Sequence, residues 1–265
     1  MLKKLKEQSI GNTLICPLGI GSATSMNTNS SFLVVSNGTS LLIDIGVNVP
    51  QKLESLNIEL DEIDYFYLTH SHADHVGGLS YILLYYKYES ERKPNIIIPK
   101  QFKEELWSKT ILNEFKIEDY VNIINPIETK IINNLNTYYC KVENLELNIF
   151  QTYHCPAVYK VPSKEDWEKA MWATGLKVNN IYISGDTVFN HQALKVFADS
   201  SKYIFHDCQL YTAKKNVHTP YKELLTMFPK WKEKTYLYHY GDDTKNYEPK
   251  NDGFLGFAKE LEIYQ

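Results

Sequence analysis

Leu68-Thr69-His70-Ser71-His72-Ala73-Asp74-His75-Val76-Gly77-Gly78 places three imidazoles and one carboxylate within six residues, directly after an apolar run. Neutral imidazole and ionised carboxylate are the donors that suit zinc, iron or manganese. The spacing is not the i, i+4 pair of a metal-binding helix. It fits a loop leaving a strand, in which the alternate residues His70 and His72 face one way. Asp74 and His75 then enter the next helix and face a neighbouring ion, and Gly77 and Gly78 allow close backbone packing beside them. A solvated His-rich turn explains the segment poorly, since such residues seldom concentrate between two apolar runs without a use. A single structural zinc is a weaker account still: such sites close with four ligands, usually rich in Cys, and here further candidate donors follow downstream.

Outward from this segment, short β-branched or aromatic runs bounded by Asn, Gly, Asp or Pro predict strands at 13–18, 32–36, 41–45, 64–68, 95–98, 121–124, 138–142, 145–152, 180–184, 203–206 and 235–238. Helical patterning predicts 50–56, 76–88, 100–108, 191–198, 220–227 and 253–260. Asp44, His70, Asp186, His206 with Asp207, and His239 each fall at the end of an apolar run. The C-terminal rim of a sheet is where sites are assembled, so several strands are expected to deliver side chains to one place. Neither an internal repeat nor a linker is visible, and 1–265 is expected to form a single α/β domain.

Three more donors complete a set for two ions: His154 in QTYHCP, Asp186 in ISGDT and His239 in LYHYGD. Each alone reads as an ordinary polar residue at a strand end. Together with the first segment, His70, His72 and His154 would hold one ion, Asp74, His75 and His239 the other, and Asp186 would bridge them.

Composition bounds the partners. Hydrophobic residues make up 43% and charged residues 23%, which excludes disordered, collagenous and coiled-coil chains. The net charge of −4 argues against a broad nucleic-acid-binding surface. No apolar run approaches the length of a membrane span, and the basic start of the chain is followed by no apolar stretch, so neither a membrane segment nor a secretory leader is expected. Cys16, Cys140, Cys155 and Cys208 are scattered without a CxxC pair, as in reduced thiols of a cytoplasmic protein.

HSHADH, His154, SGDT and His239, in this order, resemble the metallo-β-lactamase superfamily. The resemblance implies a four-layer αββα sandwich: two mixed β-sheets face to face, helices outside, metals at one rim. It runs from Pro17-Leu18-Gly19-Ile20-Gly21-Ser22-Ala23, similar to a Gly-rich strand-loop of the tRNase Z branch, to His239. A second-ion set without Cys resembles the hydrolase branches. His206-Asp207 followed eleven residues later by His218-Thr219 is also similar to the tRNase Z branch. By that resemblance Asp207 orients His218, which protonates the leaving oxygen. Asp74 belongs with them in the catalytic set, and two metal ions activate the attacking water.

The 32 residues from His154 to Asp186 leave little room for the tRNA-gripping arm of that branch. A catalytic set without a macromolecular grip resembles the small phosphodiesterases, including the phage anti-Pycsar type that hydrolyse cyclic nucleotides. The resemblance implies opening of cyclic CMP and UMP, with cyclic AMP and GMP as further candidates, to nucleoside monophosphates. It also implies two divalent ions, zinc with manganese as the alternative, a homodimer, and a place in the bacterial or host cytosol. A tRNase Z-like RNA 3′-processing endonuclease and a glyoxalase II- or lactonase-like ester hydrolase are the competing readings. Asp44, Thr69 and His206 are candidates to orient ligand imidazoles, with plain strand-end capping as the other account. His191 reads as structural or surface. Tyr159, Trp167 and Trp172, in 156–176, are open between base stacking, dimer surface and core.

Overall fold

The computed structural model describes residues 1–109, 121–129, 135–154, 171–210 and 217–265. Among the described residues, fourteen strands form two mixed sheets. The first runs β1 (Thr13–Gly19), β2 (Ser31–Ser36), β3 (Thr39–Ile43), β4 (Tyr65–Tyr67), β5 (Asn95–Ile97) and β6 (Asn122–Ile124), in that order. The second contains β7 (Ile127–Glu128), β8 (Thr137–Val142), β9 (Leu145–Gln151), β10 (Thr174–Val178), β11 (Ile181–Ile183), β12 (Tyr203–Asp207), β13 (Thr235–Tyr238) and β14 (Gly256–Phe257), also neighbours in sequence order.

Each sheet begins as hairpins and turns parallel. Pairing is antiparallel through β1–β3 and parallel from β3 to β6. It is antiparallel through β7–β11 and parallel from β11 to β14. The hairpins follow from local chemistry. Asn37-Gly38 joins β2 to β3 with both residues at positive φ (45° and 82°), the backbone twist a two-residue hairpin needs. Glu143 (φ 48°) and Asn179 (φ 51°) begin the β8–β9 and β10–β11 turns.

The sheets face each other across one apolar core, in which β2 and β3 are buried along their whole length. Phe32 of β2 meets Phe205 of β12 and Tyr238 of β13 edge-on, at centroid distances of 5.4 and 4.9 Å. Helices cover the outer faces, giving the four layers. Tyr86 of the helix Leu79–Tyr88 packs on Phe66 of β4, and Phe197 of the helix His191–Phe197 stacks on Phe150 of β9.

Some elements depart from the sequence-based expectation. The helix expected at 76–88 is two pieces, Ala73–Val76 and Leu79–Tyr88, separated by Gly77-Gly78. The segment 253–260 is not helical. Gly253 and Gly256 sit at φ 91° and 135°, outside the helical region, and Gly256–Phe257 adds a parallel edge strand to β13. Strand β10 lies outside the expected strands, because its second residue is Gly175. A Cβ there would fall 2.5 Å from Cε2 of Phe150, so the packing itself requires the residue that weakens a strand pattern. The N-terminal helix Leu2–Gln8 was also unread; it buries Leu2 and Leu5 behind a row of lysines.

Candidate metal centre

The parallel halves of both sheets send their C-terminal ends to one rim. Asp44 follows β3, the His70–His75 loop follows β4, Asp186 follows β11, Asp207 closes β12 and His239 follows β13; His154 follows the antiparallel β9. Asp44 and His239 take left-handed backbone conformations, φ 62° and 60°, uncommon for such residues and frequent at functional sites. Gly46 and Gly78 let the loop close on itself. A Cβ on Gly78 would lie 2.6 Å from the Gly46 carbonyl and 2.7 Å from Cδ of Pro50, and one on Gly46 would collide with the Asp74 carbonyl.

His70, His72 and His154 converge. Nδ1 of His72 lies 3.1 Å from Nε2 of His70 and 3.0 Å from Nε2 of His154. Asp74, His75, Asp186 and His239 form the second group. Nε2 of His75 is 3.4 Å from Oδ2 of Asp74, and Nε2 of His239 is 3.8 Å from the same oxygen. Asp186 joins the groups through a single atom. Its Oδ2 is 3.2 Å from His75 Nε2, 3.3 Å from His239 Nε2, 3.7 Å from His70 Nε2 and 3.8 Å from His154 Nε2.

These separations, from 3.0 to 3.8 Å, bracket those of donors gathered around a shared ion. Four donors about 2.0–2.1 Å from one ion stand roughly 3.3–3.4 Å apart along tetrahedral edges. Two buried atoms in the second group, Nε2 of His75 and Oδ1 of Asp186, have no hydrogen-bond partner, a costly arrangement that a cation would relieve. Protonation also suits the donor set, His75 apart. Burial lowers the pKa values of His70, His72 and His239, and that of His154 to about 4, so these imidazoles are neutral near pH 7. Burial disfavours the Asp74 anion, yet contact with His75 outweighs it and holds the carboxyl at about 2. For Asp186 burial is likewise outweighed, by His239, His75 and His218, and it stays ionised. Burial opposes the charged form of His75, but Asp186 and Asp44 overcome it and raise its pKa.

Outer partners fix four of the imidazoles at their remote nitrogens. Nδ1 of His75 meets Oδ2 of Asp44 at 2.7 Å, Nδ1 of His70 meets the Thr69 hydroxyl at 3.0 Å, Nδ1 of His239 meets Ser30 at 2.9 Å, and Nδ1 of His154 donates to the Val217 carbonyl at 2.7 Å. Asp44 also accepts from the Thr69 backbone and hydroxyl, so one carboxylate ties two neighbouring ligands together. Ser30 and the Val217 carbonyl were not anticipated: a serine before a strand is unremarkable, and a backbone oxygen leaves no mark in a sequence.

His206 corrects an expectation. Successive strand residues face opposite ways, so while Asp207 turns to the site, His206 packs against Phe189 and touches no ligand imidazole among the described residues. His191 sits among Phe189, Phe228 and Trp231, away from the donors. Trp172 is core: it stacks on Phe102 and meets Tyr138, which leaves no face for a base. Tyr159 and Trp167 lie outside the described residues, as does Cys155. Cys16, Cys140 and Cys208 are buried free thiols with pKa values raised by burial.

His218 stands beside both groups, its ring 4.9 Å from those of His154 and His239. Its Nδ1 is 3.1 Å from Oδ2 of Asp207, and that oxygen also accepts from the Thr187 backbone. Burial pulls its pKa down, but Asp207 and Asp186 more than compensate and hold it at about 9. His154, Asp186 and His218 could also surround an ion. That grouping is the weaker one, since Nδ1, the His218 nitrogen beside Asp186, is the one engaged by Asp207.

A family model described as anti-Pycsar protein Apyc1 matches residues 13–264. The chain is 30% identical over 265 residues to the anti-Pycsar protein Apyc1 of Bacillus phage BSP38, covering 95% of this chain and 98% of the relative. Among solved structures it superimposes on the metallo-β-lactamase-fold protein YhfI of Bacillus subtilis with a TM-score of 0.71 at 13% identity, over 95% and 98% of the two chains. The short form of human tRNase Z gives 0.64 at 17%, with the same coverage. At these identities the superpositions establish the metallo-β-lactamase fold.

Proposed function

The chain belongs to the anti-Pycsar protein Apyc1 family, and from that membership we propose that it is a metal-dependent phosphodiesterase that opens cyclic nucleotides to nucleoside monophosphates. Cyclic CMP and cyclic UMP are the first substrates on this reading, with cyclic AMP and cyclic GMP as further candidates. The observation that carries it is the position of Asp186 Oδ2, within 3.8 Å of imidazoles from both donor groups, beside an imidazole braced by a carboxylate.

His70, His72 and His154 would hold one divalent ion, Asp74, His75 and His239 a second, and Asp186 both. Such a pair, zinc on this reading and manganese as the alternative, lowers the pKa of water toward neutrality and neutralises phosphate charge when bound. The chain's own residues supply the rest. Asp186, near imidazoles of both donor groups, would tie the two positions together, and Asp74 would complete the second. Cleavage of a cyclic phosphodiester expels a ribose alkoxide, which needs a proton. His218 carries one at neutral pH, held at Nδ1 by Asp207, and its Nε2, which has no hydrogen-bond partner among the described residues, is the end that would deliver it. The net charge of −4 supports a small substrate over RNA.

The same reading takes 1–265 as one domain, a cytoplasmic location supported by three buried free thiols, and a homodimer. The helix Leu79–Tyr88 supports the last, since it buries Leu79, Ile82, Leu83 and Tyr86 yet leaves Tyr81, Leu84 and Tyr88 exposed.

The test is a panel of the four cyclic nucleotides, a precursor tRNA and a thioester, incubated with zinc- or manganese-loaded protein and separated by chromatography. The expected result is nucleoside monophosphate from at least one cyclic nucleotide, abolished in His70→Ala/His72→Ala. Cleavage of the tRNA or thioester alone would replace this reading with the corresponding hydrolase.

A further inference from the structure

His72 is the exception among the ligand imidazoles. His70, His75, His154 and His239 each have their remote nitrogen held by Thr69, Asp44, the Val217 carbonyl or Ser30. His72 turns Nδ1 toward its neighbours, and among the described residues its Nε2 has no hydrogen-bond partner. It is also the half-buried member of its trio. An imidazole without an outer hydrogen bond keeps its aim only if its backbone is held.

A residue outside the donor set supplies that hold. Ser71, between His70 and His72, donates its hydroxyl to Oε1 of Glu105 at 2.9 Å. Oε2 of the same carboxylate accepts from the Trp172 backbone N–H at 3.4 Å. Glu105 belongs to the helix Lys100–Lys109, which is anchored by the stacking of Phe102 on Trp172. Ala173, next to Trp172, bridges to His70. The carboxylate thus ties both chain segments flanking the His70–His72 pair to one helix.

We propose that Glu105 is a positioning residue that sets the aim of His72 through Ser71, and so sets the affinity of the ion held by His70, His72 and His154. The inference rests on the reading of those three residues as ligands. It assigns Glu105 no contact with substrate or metal. A carboxylate accepts on both sides. Glutamine keeps an acceptor for Ser71 and loses the weaker one for Trp172, and alanine loses both.

The test is zinc binding to metal-free protein, followed by competition with a chromophoric chelator, with thermal unfolding of each metal-free variant alongside. Wild type is expected to show two binding steps, one removed in His72→Ala and the other in His239→Ala. Glu105→Ala should weaken the step that His72→Ala removes by about 10–100-fold and leave the other unchanged. Ser71→Ala should reproduce that loss, and Glu105→Gln should recover most of it. If Glu105→Ala lowers only the unfolding temperature, with both steps intact, its role is merely structural and the inference falls. Should Glu105→Ala fail to fold, Ser71→Ala decides: unchanged steps overturn the inference. Fewer than two steps in wild type would instead overturn the two-ion reading beneath it.

Discussion

One oxygen atom organises the site. Oδ2 of Asp186 lies within 3.8 Å of five imidazole nitrogens drawn from two donor groups and from His218. Buried as it is, that carboxylate is tolerable only among cations or hydrogen-bond donors. His218 shares its field. Replacing His218 with Ala should lower kcat for cyclic-nucleotide opening by about 10²–10⁴-fold, with the metal content of the purified protein unchanged; elemental analysis beside the rate checks both. The raised pKa of His218 means that the protonated form prevails below about 9. Activity should therefore hold through neutral pH and fall as pH rises toward 9, with the limb missing in His218→Ala. Ions on Asp186 withdraw part of the support for that proton, so the limb belongs at or below 9.

At this scale the sequence was informative where donors cluster and silent where a partner is generic. The 70–75 segment announces itself by density, and Asp207 and His218 by their spacing. Ser30, the Val217 carbonyl and Glu105 carry no such signal, because any serine, backbone oxygen or helical glutamate looks alike before the chain is folded. His206 shows the opposite error: its place at a strand end suggested that it orients a ligand imidazole, and the strand's alternation turns it toward Phe189.

Among the elements, the loop between β4 and the helix Leu79–Tyr88 is the critical piece. It presents four donors while passing close under the segment after β3, where the backbone N–H of Ile45 donates to the His75 carbonyl at 2.7 Å and that of Gly78 donates to the Ile45 carbonyl at 2.8 Å. Gly78 has no room for a side chain, since its Cβ would strike the Gly46 carbonyl and the Pro50 ring. Gly78→Ala should cost about 1–3 kcal/mol of stability, read as a lower urea midpoint at unchanged m, and should loosen metal binding through displaced Asp74 and His75. Strands with alternating or apolar runs were legible at this scale. Strand β10, whose second residue is Gly175, and the Gly-rich stretch from Gly253 to Gly256 were not. There glycine serves close packing and left-handed backbone, which a propensity pattern reads as a break or as nothing.

For the molecule as a whole, the donor groups couple metal binding to folding. They close the rim where both sheets end, so ions that bind only the folded chain stabilise it by mass action, about 2.7 kcal/mol per site at a hundredfold excess over Kd. Removal with EDTA should lower the unfolding temperature by several degrees, and zinc should restore it; scanning calorimetry checks this, and a single transition agrees with one domain. The exposed Tyr81, Leu84 and Tyr88 face bears on assembly. Wild type should sediment as a dimer and Leu84→Glu should shift it toward monomer. The four-layer fold was legible through the resemblance carried by HSHADH, His154, SGDT and His239, while the strand ends by themselves say only that several strands deliver side chains to one rim.

The central claim is that two ions and the residues around them open a cyclic phosphodiester. The most direct test is the initial rate of cyclic CMP and cyclic UMP opening as zinc is added to metal-free protein in measured equivalents. No turnover is expected without metal, and the rate should keep climbing to two equivalents per chain and level there. A rate already saturated at one equivalent, or no monophosphate from either nucleotide at two, would contradict it.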